Sequence, residues 1–418
     1  MSTHVVLVSD QVLQNLIPIL MERPTQVCVV LTEEMARRGA DRRLSRQLRG
    51  TEAQIIRCEG CPDSGFAEIR TFAHQVAETL LNTSADTEIV FNATGGNKLM
   101  LLAFVEVFRD LASRILYTDT AHRRIEYLAS SAQDDAATVP VPTPMSNVLD
   151  VPAYLRAQGF QFQRALSDDA AWRERAAARK AACKFLGRHI ADPGLQQLIG
   201  TLNYLADKAL ERMPNSREER LAAPVQSFTR PPRGLWAEAM AQLANADLLS
   251  WESGSEYFRF TDLASAQCVR GGWLEDYAYH AVQDAGVHDA RLGVEGTWDN
   301  QEAMANEFDV LACHMNQLLH IECKTLRYRS ENDNEIAYKL DSLGDDVRGL
   351  FGRTWLLSAR EPTEGLDRPR PSCTDSPGAA GRAAAPTRLG ARVAWVRRCQ
   401  PCLLIETKRF ATLCDEIR

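Results

Sequence analysis

Between Val5 and Thr118 short apolar runs of strand length alternate with longer stretches of helical periodicity, and this alternation restricts the fold more than any other feature of the 418-residue chain. Val5–Ser9, Val27–Leu31, Gln54–Arg57, Ile89–Asn92 and Ile115–Thr118 read as strands. Among them, Val12, Leu13, Leu16, Ile17 and Leu20 recur at helical spacing, and Thr32-Glu33-Glu34 offers a helix cap with an acidic first turn. Phe66–Leu81 and Leu99–Phe108 read as helices. Strands and helices in alternation predict an α/β unit: an open, mostly parallel sheet with helices on both faces, whose ligands bind beyond the carboxyl ends of the strands.

Two strand ends carry groups suited to a ligand. One is Ser9-Asp10-Gln11; the other is Thr94-Gly95-Gly96-Asn97-Lys98, which opens a helix. Adjacent glycines admit close backbone approach, a helix start presents free N–H groups, and Lys98 adds positive charge, so the loop suits an anionic phosphate. It is neither a Walker A loop nor a Gly-x-Gly-x-x-Gly fingerprint, and a tight turn with one exposed lysine is the competing reading. The segment Asn92–Lys98 resembles the ligand loop of CARF domains, the Rossmann-like sensors of type III CRISPR defence. The resemblance implies that Ser9, Thr94, Gly95, Gly96, Asn97 and Lys98 contact a cyclic oligoadenylate, with Asp10 and Gln11 as weaker candidates, and that two copies form a homodimer with the ligand on its axis.

Ala136–Pro152, with four prolines, reads as a linker or sheet edge. Asp168–Ala191, Leu195–Met213 and Leu235–Leu249 read as helices, and Leu248–Phe260 as a short hairpin. Helices followed by a small hairpin suggest a winged-helix-like module. Its basic stretch Arg173–Arg188 permits DNA binding, but a connector between sensor and effector is the preferred reading.

Asn306–Leu326 contains two strand-like runs around the polar turn His314–Gln317. A strand repeats every second residue, so Glu322 and Lys324 share one face and Ile321 and Cys323 the other; Glu307 and Asp309 obey the same rule one strand earlier. Phosphodiester hydrolysis calls for a divalent cation on hard oxygen donors. Asp309 and Glu322 can supply carboxylates, the Cys323 carbonyl a third ligand, and Lys324 can orient water or stabilise developing charge. The bland alternative is a hairpin with a solvated charged face.

This hairpin resembles the PD-(D/E)xK, or restriction-endonuclease-like, core with Asp309, Glu322 and Lys324 at its motif positions. Such cores regularly carry an acid on the preceding helix, and Glu275, after Gly271-Gly272-Trp273, matches it; by itself it also reads as a solvated first-turn acid. The resemblance implies that Glu275, Asp309 and Glu322 hold Mg2+ or Mn2+. Glu295 ranks below Glu275 for the same cleft, and Tyr338 and Lys339 on an amphipathic helix Asn334–Leu350 match more weakly. Thr354–Ser358 reads as the next core strand. From about Leu366 the chain turns Arg, Pro, Ala and Gly rich, which fits either a divergent or disordered tail or out-of-frame translation of a GC-rich gene.

With hydrophobic residues at 45% and charged residues at 25%, the chain is not disordered throughout. A net charge of -7 argues against a protein that merely coats nucleic acid, while leaving room for a local basic groove. No signal peptide and no apolar run of membrane length is read, and eleven scattered cysteines fit a reducing cytoplasm. Cys58-x-x-Cys61 and Cys399-x-x-Cys402 have no convincing second pair, so zinc is not expected.

The division expected is residues 1–150 for the CARF-like sensor, 151–262 for the connector, 263–365 for the nuclease and 366–418 for the tail. Together the motifs resemble the Card/Can family of type III CRISPR effector nucleases over nearly the whole chain to about residue 360. That family implies activation by cyclic tetra-adenylate and cleavage of single-stranded RNA and DNA, or nicking of supercoiled duplex DNA. Two alternatives stay open: a ligand-responsive DNA-binding regulator with an inactive nuclease core, and a constitutive nuclease.

Overall fold

A computed structural model of the chain describes residues 2–83, 87–128, 140–214, 216, 218–299, 305–325 and 352–359. The expected helix Asn334–Leu350 and the tail from residue 366 lie outside the described residues.

The first unit runs β1 Ser2–Leu7, α1 Leu13–Glu22, β2 Gln26–Leu31, α2 Glu33–Arg37, α3 Ala40–Gln47, β3 Gln54–Glu59, α4 Phe66–Thr83, β4 Glu88–Asn92, α5 Lys98–Phe108, β5 Arg114–Asp119, β6 Arg124–Leu128 and β7 Thr143–Pro144. Its sheet has the order β3-β2-β1-β4-β5-β6-β7, parallel through β5 and antiparallel at the last two strands. Strands buried on both faces need apolar side chains on both. Val5 and Leu7 pack with Ile69, Ala73 and Phe104 of α4 and α5, while Val6 packs with Leu16 and Leu44 of α1 and α3. The chain winds outward from β1 to β3 on one side, then returns to β4 on the other side of β1. The switch point of the sheet therefore lies between β1 and β4.

Next come α6 Val151–Gln158 and β8 Phe160–Ala165. Asp150 caps α6, accepting a hydrogen bond from the Ala153 N–H at 2.7 Å. β8 falls inside the stretch expected to be connector, yet it pairs with a strand more than a hundred residues on and forms the outer edge of the second large sheet. A six-residue strand between a proline-rich segment and a strongly helical one gives too short a period-two signal to stand out.

The connector proper comprises α7 Ala170–His189, α8 Pro193–Ala209, β9 Leu210–Arg212, β10 Glu219–Leu221, β11 Val225–Ser227, α9 Leu235–Asn245, β12 Leu249–Trp251 and β13 Tyr257–Phe260. Three helices and the small antiparallel sheet β11-β13-β12 give the winged arrangement. The basic residues of α7 are partly committed to the interior. Arg179 pairs with buried Asp276, and Lys180 and Lys184 each reach Asp284 at 2.6 Å.

The last unit contains α10 Leu263–Gln267, a π-type turn Cys268–Gly272, α11 Trp273–Asp284, β14 Asp289–Trp298, β15 Asn306–His314, β16 Gln317–Lys324 and β17 Gly352–Ser358. Its sheet has the order β17-β16-β15-β14-β8, antiparallel except for the parallel pair of β16 and β17. α11 covers one face through Trp273, Tyr277 and Val282, and α7 packs against α11. On the other face Phe308, Leu311 and Leu318 share a core with Tyr154 and Leu155 of α6 and with α1, so the two large sheets are joined by continuous apolar packing.

Candidate active site and ligand loop

The β15–β16 hairpin turns through Met315 and Asn316, both at positive φ (49 and 59), as a two-residue type I′ loop requires. Asn316 is fully buried. Its side chain donates to the Ser146 carbonyl at 2.7 Å and accepts from the Val148 and Leu149 N–H groups at 3.0 and 3.2 Å. The turn is thus tied to the strap leaving the first domain, and the register of both strands is set from that end.

At the opposite end the ladder stops at Val310↔Ile321 and the strands part. The Asp309 carboxylate enters the opening and accepts the Cys323 N–H at 2.6 Å, taking the place of a strand partner. Glu322 is buried, and Lys324 lies against it with Nζ 2.6 Å from Oε1. Glu275 reaches the same edge from the first turn of α11. That helix is fixed by its neighbours: Asp276, one residue on, turns the other way and takes two N–H donors from Arg179.

The electrostatics follow from crowding carboxylates in a low-dielectric edge. Burial first, then the negative charges of Asp309, Asp276 and Glu307, push the Glu275 carboxyl up to about 8. Burial and then Glu322 raise Asp309 to about 6. Burial pulls Lys324 down, but Glu322 and Asp309 beside it more than offset that, and it stays a firmly held cation.

The structure therefore brings Glu275, Asp309, Glu322 and Lys324 to one edge. Cys323 gives its N–H to Asp309, while its buried thiol, pushed up by burial, points to the Leu274 carbonyl. Glu295 is held elsewhere, on β14, by both donors of Arg164 at 2.7 and 2.9 Å. Among the described residues no three His, Cys, Asp or Glu side chains stand in metal-holding geometry; Lys324 occupies Glu322 and the Cys323 N–H occupies Asp309.

In the first sheet β1 and β4 are neighbours, with Val6 opposite Asn92, so Ser9–Gln11 and Thr94–Lys98 leave adjacent strands at the switch point. Thr94 Oγ donates to Asn92 Oδ1 at 2.6 Å and accepts the Thr118 N–H at 2.7 Å. Asn97 caps α5, accepting from the Met100 N–H at 2.9 Å and donating to the Asp63 carbonyl at 2.7 Å. A Cβ on Gly95 would lie 1.9 Å from the Leu7 carbonyl oxygen, and Gly96 adopts φ +72. Ser9 accepts from Gln14 at 2.8 Å, Asp10 pairs with Arg38 at 2.8 Å, Gln11 is half-buried, and Lys98 stands in solvent at the helix start.

Sequence reasoning missed the polar support beneath this loop. Buried Asn92 donates to Asn15 Oδ1 and to the Gln14 carbonyl, both at 3.2 Å, and Thr118 donates to the same carbonyl at 2.8 Å. The available signal was an asparagine inside the apolar helix α1 and another ending an apolar strand.

A loop suited to phosphate at the switch point of one sheet and a carboxylate–lysine edge on another are what the sequence leads one to expect of a sensor joined to a nuclease. Comparison with known proteins gives the particular kind. Residues 3–154 match the family described as the Card1 CARF domain and residues 262–372 the Card1-like endonuclease domain, so the chain carries a CARF sensor followed by an endonuclease domain of the Card1 type. Among solved structures, the chain is similar to Can2 from Sulfobacillus thermosulfidooxidans in complex with cyclic tetra-adenylate, at 24% identity and a TM-score of 0.64, over 87% of this chain and 90% of that one. It is also similar to protein VC1899 from Vibrio cholerae, at 21% identity and a TM-score of 0.67, over 86% and 89%. The comparison with curated proteins finds no match.

Proposed function

We propose that the protein is a cyclic oligoadenylate-activated, metal-dependent endonuclease of antiviral defence, with cyclic tetra-adenylate as activator and single-stranded RNA or DNA, or supercoiled DNA, as substrate. The observation that carries the reading is the gathering of Glu275, Asp309, Glu322 and Lys324 at one sheet edge on the same chain as a phosphate-receiving loop. The likeness to Can2, solved with cyclic tetra-adenylate, supports the choice of activator.

The donor set fits a hard divalent cation. Three carboxylates crowd into a half-buried edge, two of them pushed up toward their protonated forms, and a cation would relieve that repulsion. Asp309 and Glu322, with Glu275 and the Cys323 carbonyl, would hold Mg2+ or Mn2+, which when bound polarises the phosphoryl oxygen and lowers the pKa of the attacking water. Lys324, released from Glu322, stabilises the charge that gathers on the phosphate. Glu322 is held by its burial, and Asp309 by the Cys323 N–H, in place for that role.

On the sensor side the α5 N-terminus and Lys98 receive an activator phosphate, while Ser9, Asp10, Gln11, Thr94, Gly95, Gly96 and Asn97 shape the floor. α5 leaves Leu99 43% and Leu102 59% exposed; a second copy covering them forms the homodimer and brings two ligand loops together. The connector transmits between the domains. Seven described cysteines are free, including Cys28 and Cys58 at 3.5 Å, in line with a cytoplasmic protein, and no described helix is long and apolar enough to cross a membrane. A cleavage assay crossing cyclic oligoadenylates of different ring size with RNA, single-stranded DNA and supercoiled DNA, with and without Mg2+ or Mn2+, tests the reading. Metal-dependent cleavage only in the presence of the tetra-adenylate is expected; cleavage indifferent to every activator overturns the gating.

A further inference from the structure

Between α3 and the edge strand β3 lies a cavity of about 260 Å3 lined by Asp41, Arg42, Ser45, Arg46, Arg49 and Arg57. Four guanidiniums against one carboxylate give this lining a formal charge of +3, in a chain whose total is -7. Asp41 is buried and holds Arg57 at 2.8 Å from the inner side, and Glu59 pairs with the same guanidinium at 2.9 Å, so Arg42 and Arg49 carry the unpaired charge. Arg46 reaches across to Asp299 of the nuclease unit at 3.0 Å. Arg42 and Arg49 are exposed, and no described residue forms an ion pair with either.

The spacing 42, 46 and 49 places the three arginines on one face of α3 and its end, as i, i+4 and i+7. Like charges held so close repel unless an anion lies among them, and the planar guanidinium fork matches phosphate oxygens. The location narrows the anion. Asp299 follows the last residue of β14, and Asp309 lies opposite Gly293 of that strand, between the pairs Leu292↔Val310 and Val294↔Phe308. Six residues of strand separate the two levels, on the order of 20 Å. The cavity and the carboxylates thus lie toward the same end of the second sheet, within reach of one extended strand. The activator loop lies apart, at the switch point between β1 and β4, whereas β3 is the edge strand.

We propose that this arginine-lined cavity is a docking site for the phosphodiester backbone of the nucleic-acid substrate, gripping it away from the bond to be cut. The inference rests on the endonuclease reading and adds where the rest of the strand runs. Phosphate contacts of this kind are independent of base sequence and strongly salt-dependent.

The test uses the full chain with Arg42→Glu and Arg49→Glu combined, and a fluorescent single strand long enough to span both regions. Anisotropy is read in chelator over a salt series. Binding is expected to weaken by roughly tenfold, with the salt slope reduced by about 1.4, two phosphates at about 0.7 each. Activator binding, and cleavage of a strand too short to reach the cavity, are expected to stay as in the parent. An unchanged affinity and slope overturn the proposal, as does a loss confined to cyclic tetra-adenylate or inorganic phosphate. If the charge reversal impairs folding, Arg42→Gln with Arg49→Gln, at matched melting temperature, is measured in its place, with the same weakening expected and the same unchanged affinity overturning the proposal. If neither parent nor variant cleaves any strand with any metal, the endonuclease reading fails while the anisotropy still decides the docking site.

Discussion

The two candidate sites are built in opposite ways. In the sensor loop, Thr94 is spent on Asn92 and Thr118, Asn97 on Met100 and Asp63, and Gly95 on the close approach of Leu7, so folding alone completes the receiving surface. At the candidate cleavage edge the ladder ends early and half-buried carboxylates are left near one another, with a lysine among them. One site has its polar loop groups already paired and leaves Lys98 to meet a ligand. The other is crowded with charge that a cation and a phosphate would balance. Such a division suits a protein in which binding on one sheet licenses chemistry on another.

The sharpest separation of the two comes from removing a cleavage-edge side chain. Glu322→Ala, and separately Lys324→Ala, are expected to lower cleavage at least about a thousandfold, or about 4 kcal/mol of transition-state stabilisation. Activator affinity should stay as in the parent, since neither residue contacts the first sheet. Residual cleavage within tenfold of the parent, measured in single turnover with saturating activator, would remove these residues from the mechanism.

The converse change is Gly95→Ala. Its methyl would collide with the Leu7 backbone oxygen at 1.9 Å, and neither chain can give way without moving a central strand. A loss of about 2–4 kcal/mol of stability is expected, seen as a lower thermal midpoint together with lost activator binding. A variant that melts like the parent would show that the loop is less tightly seated than its contacts imply. Lys98→Ala probes the same loop gently. Lys98 is exposed, so the midpoint should hold while activator affinity drops about tenfold, roughly 1.4 kcal/mol, by titration calorimetry. Equal affinity would shift the burden of phosphate binding onto the α5 N-terminus alone.

Much of the fold and of the candidate sites is legible in the sequence. The parallel sheet followed from five apolar runs separated by helical periodicity, and the shared face of Glu322 and Lys324 from strand alternation. What stayed hidden was non-local. β8 could not be assigned to the second sheet because its partner β14 is far along the chain. Arg179 and Lys184 belong to the basic stretch that reads as permitting DNA binding, yet acids on α11 pair with them. Glu295 reads as a lower-ranked candidate for the cleft, and only the pairing of β14 with β8 brings Arg164 onto it. The charge of the α3 arginines acquires meaning only where β3 brings Arg57 beside them around a cavity and Arg46 reaches Asp299.

The smallest expected effect bears most directly on why the cleavage edge is crowded. In the metal-free chain the folded Glu275 carboxyl sits at about 8, against an ordinary 4.5, so the native state binds this proton more tightly than the unfolded chain does. The stability tied to that proton is fully present below the ordinary value and is lost as pH rises through about 8. Asp309, raised from 3.8 to about 6, acts in the same sense over a lower window. Thermal midpoints measured in chelator should therefore fall as pH climbs from about 5 to about 8. Glu275→Gln keeps the neutral form at every pH and should match the parent near pH 5, yet melt a few degrees higher near pH 8. Adding Mn2+ should flatten the parent's curve more than the variant's, because the cation takes the place of the proton at the carboxylate. Parallel curves for parent and variant would mean that Glu275 is relaxed in solution, and the charge crowding that sets the cleavage edge apart from the sensor loop would then rest on Asp309 and Glu322 alone.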